Sequence, residues 1–140
     1  MILHCTFEEL ASATAGANRL LETAAATEHV VIAPPQAHAD LEYLLPLLTG
    51  DIDVMTLHSQ RRIQRALAYL LADLSVRMDE AIIAQHAAAE DAVLAYFDYA
   101  HIRGMVDRVE RMGAGMEAII ELATGAPVDE AVARTFTFSE

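Results

Sequence analysis

Residues 54–86 contain neither glycine nor proline, and their apolar side chains recur every three or four positions. On a helix turning about 100° per residue, Ile63, Leu67, Leu70, Leu71, Leu74, Met78, Ala81 and Ile82 form one stripe. The opposite side carries Tyr69, Ala72, Val76 and Ile83, so this helix is apolar on two faces and calls for two partners. Residues 90–123 repeat the pattern: Leu94, Phe97, Met105, Met112, Met116, Ile119 and Ala123 make a stripe, with Arg103, Asp107, Glu110, Glu117 and Glu121 on a solvated face. Gly104, Gly113 and Gly115 interrupt that second helix and mark a close helix contact or a bend, and Gly125 with Pro127 ends it. Between the two, "AQHAAAED" at 84–91 reads as a turn or kink. The whole is a long antiparallel helical hairpin.

Ahead of the hairpin, "ILHCTF" at 2–7 reads as a strand and residues 8–26 as a helix. "HVVIA" at 29–33 reads as a second strand, closed by Pro34 and Pro35. A helix follows through Leu41, Leu44, Leu45 and Leu48, distorted by Pro46 and stopped at Thr49-Gly50. Asp51 or Asp53 is placed to cap the next helix. The tail gives one short helical turn and a strand around Thr135–Phe138. These elements predict one α+β domain over residues 1–140, predominantly α. It comprises a strand-helix-strand-helix portion (1–50), the hairpin (54–124) and a C-terminal tail and strand (125–140), with a small sheet from the N-terminal, 29–33 and C-terminal strands.

Composition strengthens the helical reading. The chain has 27 alanines in 140 residues, and alanine loses no side-chain entropy on entering a helix. Twenty-one acidic residues against nine arginines and no lysine leave a formal charge of −12, which repels a phosphate backbone. The one basic run, Arg61, Arg62 and Arg65, lacks interleaved aromatic residues and reads as a salt-bridged face, so no nucleic-acid partner is expected. No stretch approaches the roughly 18 apolar residues of a membrane span, so no membrane partner is expected. A single cysteine, Cys5, and the absence of a signal-peptide pattern place the expected location in the cytoplasm.

Length adds a constraint. Two helices of about 33 residues each reach about 50 Å, whereas a globule of this size spans roughly 37 Å. The hairpin therefore projects or is covered by another copy, and Tyr69, Val76, Ile83 and His58 are the expected interface of a homo-oligomer.

Candidate chemistry is concentrated on the second long helix. Glu90, Asp98, His101 and Arg108 all fall within about 60° of the stripe of Leu94, Phe97 and Met105. Buried polar groups must be paired or they cost on the order of 1–3 kcal/mol each, so the expectation is a buried polar network, with Glu90 or a partner's carboxylate on Arg108. The alternative is a metal site. Asp98-x-x-His101 resembles the Glu-x-x-His spacing of ferritin-like di-iron bundles, and His86-x-x-x-Glu90 lies just upstream. Asp98, His101, Glu90 and His86 would then hold iron, manganese or zinc. Only one such motif is present and it carries aspartate, and the arginine in the set favours a charge-paired network. A third reading is a small-molecule pocket around Phe97, Met105 and Met112. No nucleotide-binding or nucleophile motif is present. The expected function is thus a non-enzymatic interaction or assembly protein without a cofactor. A metal-binding bundle with redox or hydrolytic activity, or a small-molecule binder, are the alternatives.

Overall fold

The structure is a computed structural model and describes residues 1–26, 35–84 and 89–139. Its elements are β1 (Ile2–Leu3), α1 (Phe7–Ala26), α2 (Pro35–Leu44), a 3-10 turn (Leu45–Leu47), β2 (Ile52–Asp53), α3 (Leu57–Ala84), α4 (Ala89–Thr124) and α5 (Glu130–Thr135). The protein is predominantly helical with a small antiparallel sheet. The strand read at 29–33, and the part of the 84–91 turn at 85–88, lie outside the described residues.

α1, α3 and α5 start where a side chain satisfies free N–H groups, at α5 through Asp129 Oδ1, which accepts from the Val132 N–H at 2.8 Å. Thr6 and Glu9 form a reciprocal capping box at α1: the Thr6 N–H donates to Glu9 Oε1 at 2.8 Å and the Glu9 N–H to Thr6 Oγ1 at 3.2 Å. At α3 the cap is Thr56, whose Oγ1 accepts from the Ser59 N–H at 3.1 Å. This differs from the expected Asp51 or Asp53 cap, because residues 52–53 are drawn into a strand. Leu3 pairs with Ile52 and Ile2 with Asp53. Asp51 instead accepts from the Cys5 N–H at 3.0 Å. The C-terminal strand is reduced to a single bridge, Thr56 to Thr137, so among the described residues the sheet is built from β1 and β2. Gly125 ends α4 in the left-handed region at φ 70°, with its N–H donating to the Glu121 carbonyl at 2.8 Å.

The 28 residues of α3 and 36 of α4 pack against one another along the hairpin. Their shared core runs from Leu57 to Leu74 on α3 and from Ile102 to Ile120 on α4, completed by Ala13 and Ala17 of α1 and Leu41 and Leu44 of α2. Gly113 permits the closest approach. The buried Gln60 amide occupies the space that a Cβ there would need, and its Nε2 donates to the Val109 carbonyl at 2.7 Å. Gly104 similarly faces the Glu9 carboxylate, whereas Gly115 meets open space.

The course of α1 decides which parts of the hairpin are covered. Glu9 lies beside Arg108, Ser12 beside Asp98 and His101, Gly16 against Leu70, and Arg19 beside Asp73. α1 therefore runs antiparallel to α4 and then crosses to α3. Beyond Leu74 on α3 and before Ile102 on α4, no described residue is buried. The expected buried stripes accordingly stop short: Ile82 on α3, and Leu94 and Phe97 on α4, are exposed, while within the covered span Ile119 is exposed and its neighbour Ile120 is the buried residue.

Candidate functional site

The polar residues of α4 meet their partners across the seam with α1. Ser12, buried on α1, donates its hydroxyl proton to Asp98 Oδ1 at 2.8 Å, and its Oγ lies 2.9 Å from His101 Nδ1. A hydroxyl has one proton to give. With that proton on the Asp98 contact, the His101 contact requires Nδ1–H as donor, which leaves the Nε2 lone pair unprotonated in the neutral ring. The three side chains form a directed relay from imidazole through hydroxyl to carboxylate.

One turn further along the seam, Arg108 donates through Nη2 to Glu9 Oε1 and through Nε to the His4 carbonyl at 3.1 Å. Glu9 is thus both a capping-box residue and the counter-ion of an α4 arginine. Partial burial pushes its carboxyl pKa up, but hydrogen bonds from Arg108 and the Thr6 N–H outweigh that and hold it below the usual carboxylate range. Nearby, burial and the Glu9 charge push the Cys5 thiol up to about 11, which keeps it protonated and poorly nucleophilic at neutral pH.

Of the four residues assigned to a network on α4, Asp98, His101 and Arg108 lie in this seam, and Glu90 does not. Glu90 is exposed near the start of α4, about 12 Å along the axis from Asp98. The carboxylate on Arg108 is Glu9, 99 positions away. Sequence reasoning missed Glu9 and Ser12, although Thr6-x-x-Glu9 before an apolar run is a recognisable capping-box signal.

Among the described residues no group of three or more His, Cys, Asp or Glu side chains converges as metal ligands. His86 lies outside them. His29 likewise lies outside them, and three of the described histidines have separate carboxylate neighbours: His4 with Asp51 at 3.0 Å, His38 with Glu42 at 2.7 Å and His58 with Glu130 at 3.6 Å. His58 therefore faces α5 of its own chain. Of the residues read as a small-molecule pocket, Phe97 is exposed, Met105 is inside the core and Met112 is half-buried. An open groove of about 530 Å³ lies between α3 and α4, lined by Arg61, Gln64, Ala68, Glu110, Gly113 and Glu117 among others.

The basic run is internally paired. Arg62 and Arg65 share the buried carboxylate of Asp40, through Nε atoms at 3.2 and 2.8 Å, and Arg61 reaches Glu117 at 3.3 Å. Arg62 also stacks over Tyr43, 4.1 Å from the ring centroid. Among the described residues no helix is long and apolar enough to cross a membrane.

The distal hairpin is the largest departure from a satisfied surface. Val76, Ile82 and Ile83 on α3, and Val93, Leu94, Tyr96 and Phe97 on α4, are all more than half exposed, Ile83 reaching 83%. No family model, curated protein or solved structure matches the chain.

Proposed function

We propose that the protein is a non-enzymatic assembly module that acts as a homo-oligomer through the distal half of its α3–α4 hairpin. The observation that carries this reading is the concentration of seven exposed large apolar side chains in the distal half of the hairpin. Monomeric proteins rarely leave a large contiguous apolar patch uncovered, and such patches mark interaction sites. The seam of Ser12, Asp98, His101, Arg108 and Glu9 serves this role as scaffolding, holding α1 on α4 in one register. The single cysteine, unpaired in the structure, suits a reducing compartment such as the cytoplasm.

Light scattering on the full chain tests the reading. The expected mass exceeds the 15.2 kDa of one chain, and an Ile83→Asp, Phe97→Asp variant is expected to lower it while keeping the helical circular-dichroism signal. A wild-type protein that remains at the single-chain mass at every concentration overturns the proposal.

A further inference from the structure

Resting on the assembly reading, the outer face of α3 points to its own partner. We propose that two copies pair α3 against α3, antiparallel, across a twofold axis at Val76. Tyr69, Val76 and Ile83 recur every seven residues and lie on one line down the helix. Under a twofold axis, positions equidistant from it meet, so Val76 lies against Val76 and Ile83 against Tyr69. Val76 and Ile83 are exposed and Tyr69 is half-buried. The bare end of each stripe thus covers the partly covered end of the other.

The same register matches charge. Asp73 Oδ2 accepts from Arg19 Nη2 at 3.2 Å and from Arg77 Nε at 3.0 Å, so two guanidinium groups share one carboxylate and leave a formal positive charge beside the stripe. Arg19 Nε is buried without an acceptor among the described residues. Glu80, four positions past Val76, is exposed and makes no ion pair among those residues. The axis sets Glu80 level with position 72 of the second copy, on the side of the stripe that carries Asp73, and so brings it to the partner's arginine pair. Symmetry repeats the contact. A parallel pairing would instead set Glu80 level with Glu80 and away from the partner's arginine pair. A tip-to-tip pairing would crowd Asp79, Glu80, Glu90 and Asp91 together, and like charges in contact are repulsive.

Three large side chains per copy, each contributing on the order of 100 Å² and supplemented by charged stems, cover about 300–400 Å² per partner. That is roughly half of the standard ~800 Å², so the dimer belongs to the weak, reversible class.

The test uses sedimentation velocity over a concentration series reaching hundreds of micromolar, with cysteine cross-linking in a Cys5→Ala background. Wild type is expected to dimerise reversibly, and Val76→Glu to be monomeric with unchanged helicity. Glu80→Arg is expected to weaken dimerisation about tenfold at low salt, an effect that high salt abolishes. Val76→Cys is expected to form a disulfide dimer under mild oxidation, and Ala68→Cys, which faces the groove, is not. An oligomer in which Val76→Cys fails to cross-link, or Glu80→Arg leaves affinity unchanged, overturns this register and leaves the assembly reading standing. A wild type that stays monomeric throughout overturns both.

Discussion

Toward its base, the α3–α4 hairpin encloses Leu67, Leu70, Ile102 and Met105. Toward its tip, the same two helices carry Ile82, Ile83, Leu94 and Phe97 to the surface. The two halves share composition and helical period, and differ in what lies over them. α1 and α2 cover the base, together with α5, while α1 leaves α4 for α3 near Gly16 and Arg19. An apolar stripe is therefore a demand for cover, and the chain meets it over only part of its length. The polar residues divide in the same way. Asp98, His101 and Arg108 are paired where α1 follows α4, and Glu90, beyond that reach, is exposed.

The sharpest way to break this comparison is to truncate one residue from each half. Leu67→Ala, in the packed base, is expected to cost about 2–5 kcal/mol in urea unfolding. Ile83→Ala in dilute protein is expected to stay within about 0.5 kcal/mol. Comparable losses at both positions would show the tip to be covered by its own chain.

Gly113→Ala probes how tightly the base is packed. The added methyl overlaps the Gln60 amide and drives it from the Val109 carbonyl, for an expected loss of about 1–3 kcal/mol in the same experiment. Ser12→Ala probes where cover by α1 is enforced. It leaves Asp98 and His101 without their shared hydroxyl, with an expected loss of about 1–2 kcal/mol and faster amide hydrogen exchange in α1.

The pH dependence sharpens the same boundary. The folded pKa of Glu9 is held below its ordinary 4.5, so unfolding takes up protons as the pH falls. The stability contributed by Glu9 is present above about pH 4.5 and is lost as pH falls through the lower folded value. Glu9→Gln is expected to flatten that acid limb in urea midpoints measured against pH. The smallest effect concerns Cys5. With its thiol near 11, alkylation at pH 8 is expected to be far slower than for a free cysteine, and denaturant is expected to abolish the difference.

Much of this arrangement was legible in the residues. The long breaker-free run gave α3, Gly125 and Pro127 ended α4, and rotation about His101 singled out Asp98 and Arg108 as inward-turned polar groups. Their partners were not legible. Ser12 is 86 positions from Asp98, and Glu9 is 99 from Arg108, and no periodicity within one helix reports a contact at that separation. Glu90 shares the rotational angle of the seam residues, but its height along α4 places it beyond α1. β2 is hidden for a local reason: two residues, Ile52 and Asp53, are too short for an alternating pattern, and Asp53 and the preceding Asp51 resemble caps.

The sequence by itself determined the helices, their breaks, the two-faced stripe of α3 and the acidic surface, because these follow from the 3.6-residue period and from side-chain chemistry a few positions apart. Only the tertiary structure decided how far each stripe is buried and which carboxylate Arg108 meets. Those outcomes depend on where α1 stops following α4, a matter of packing between segments distant along the chain.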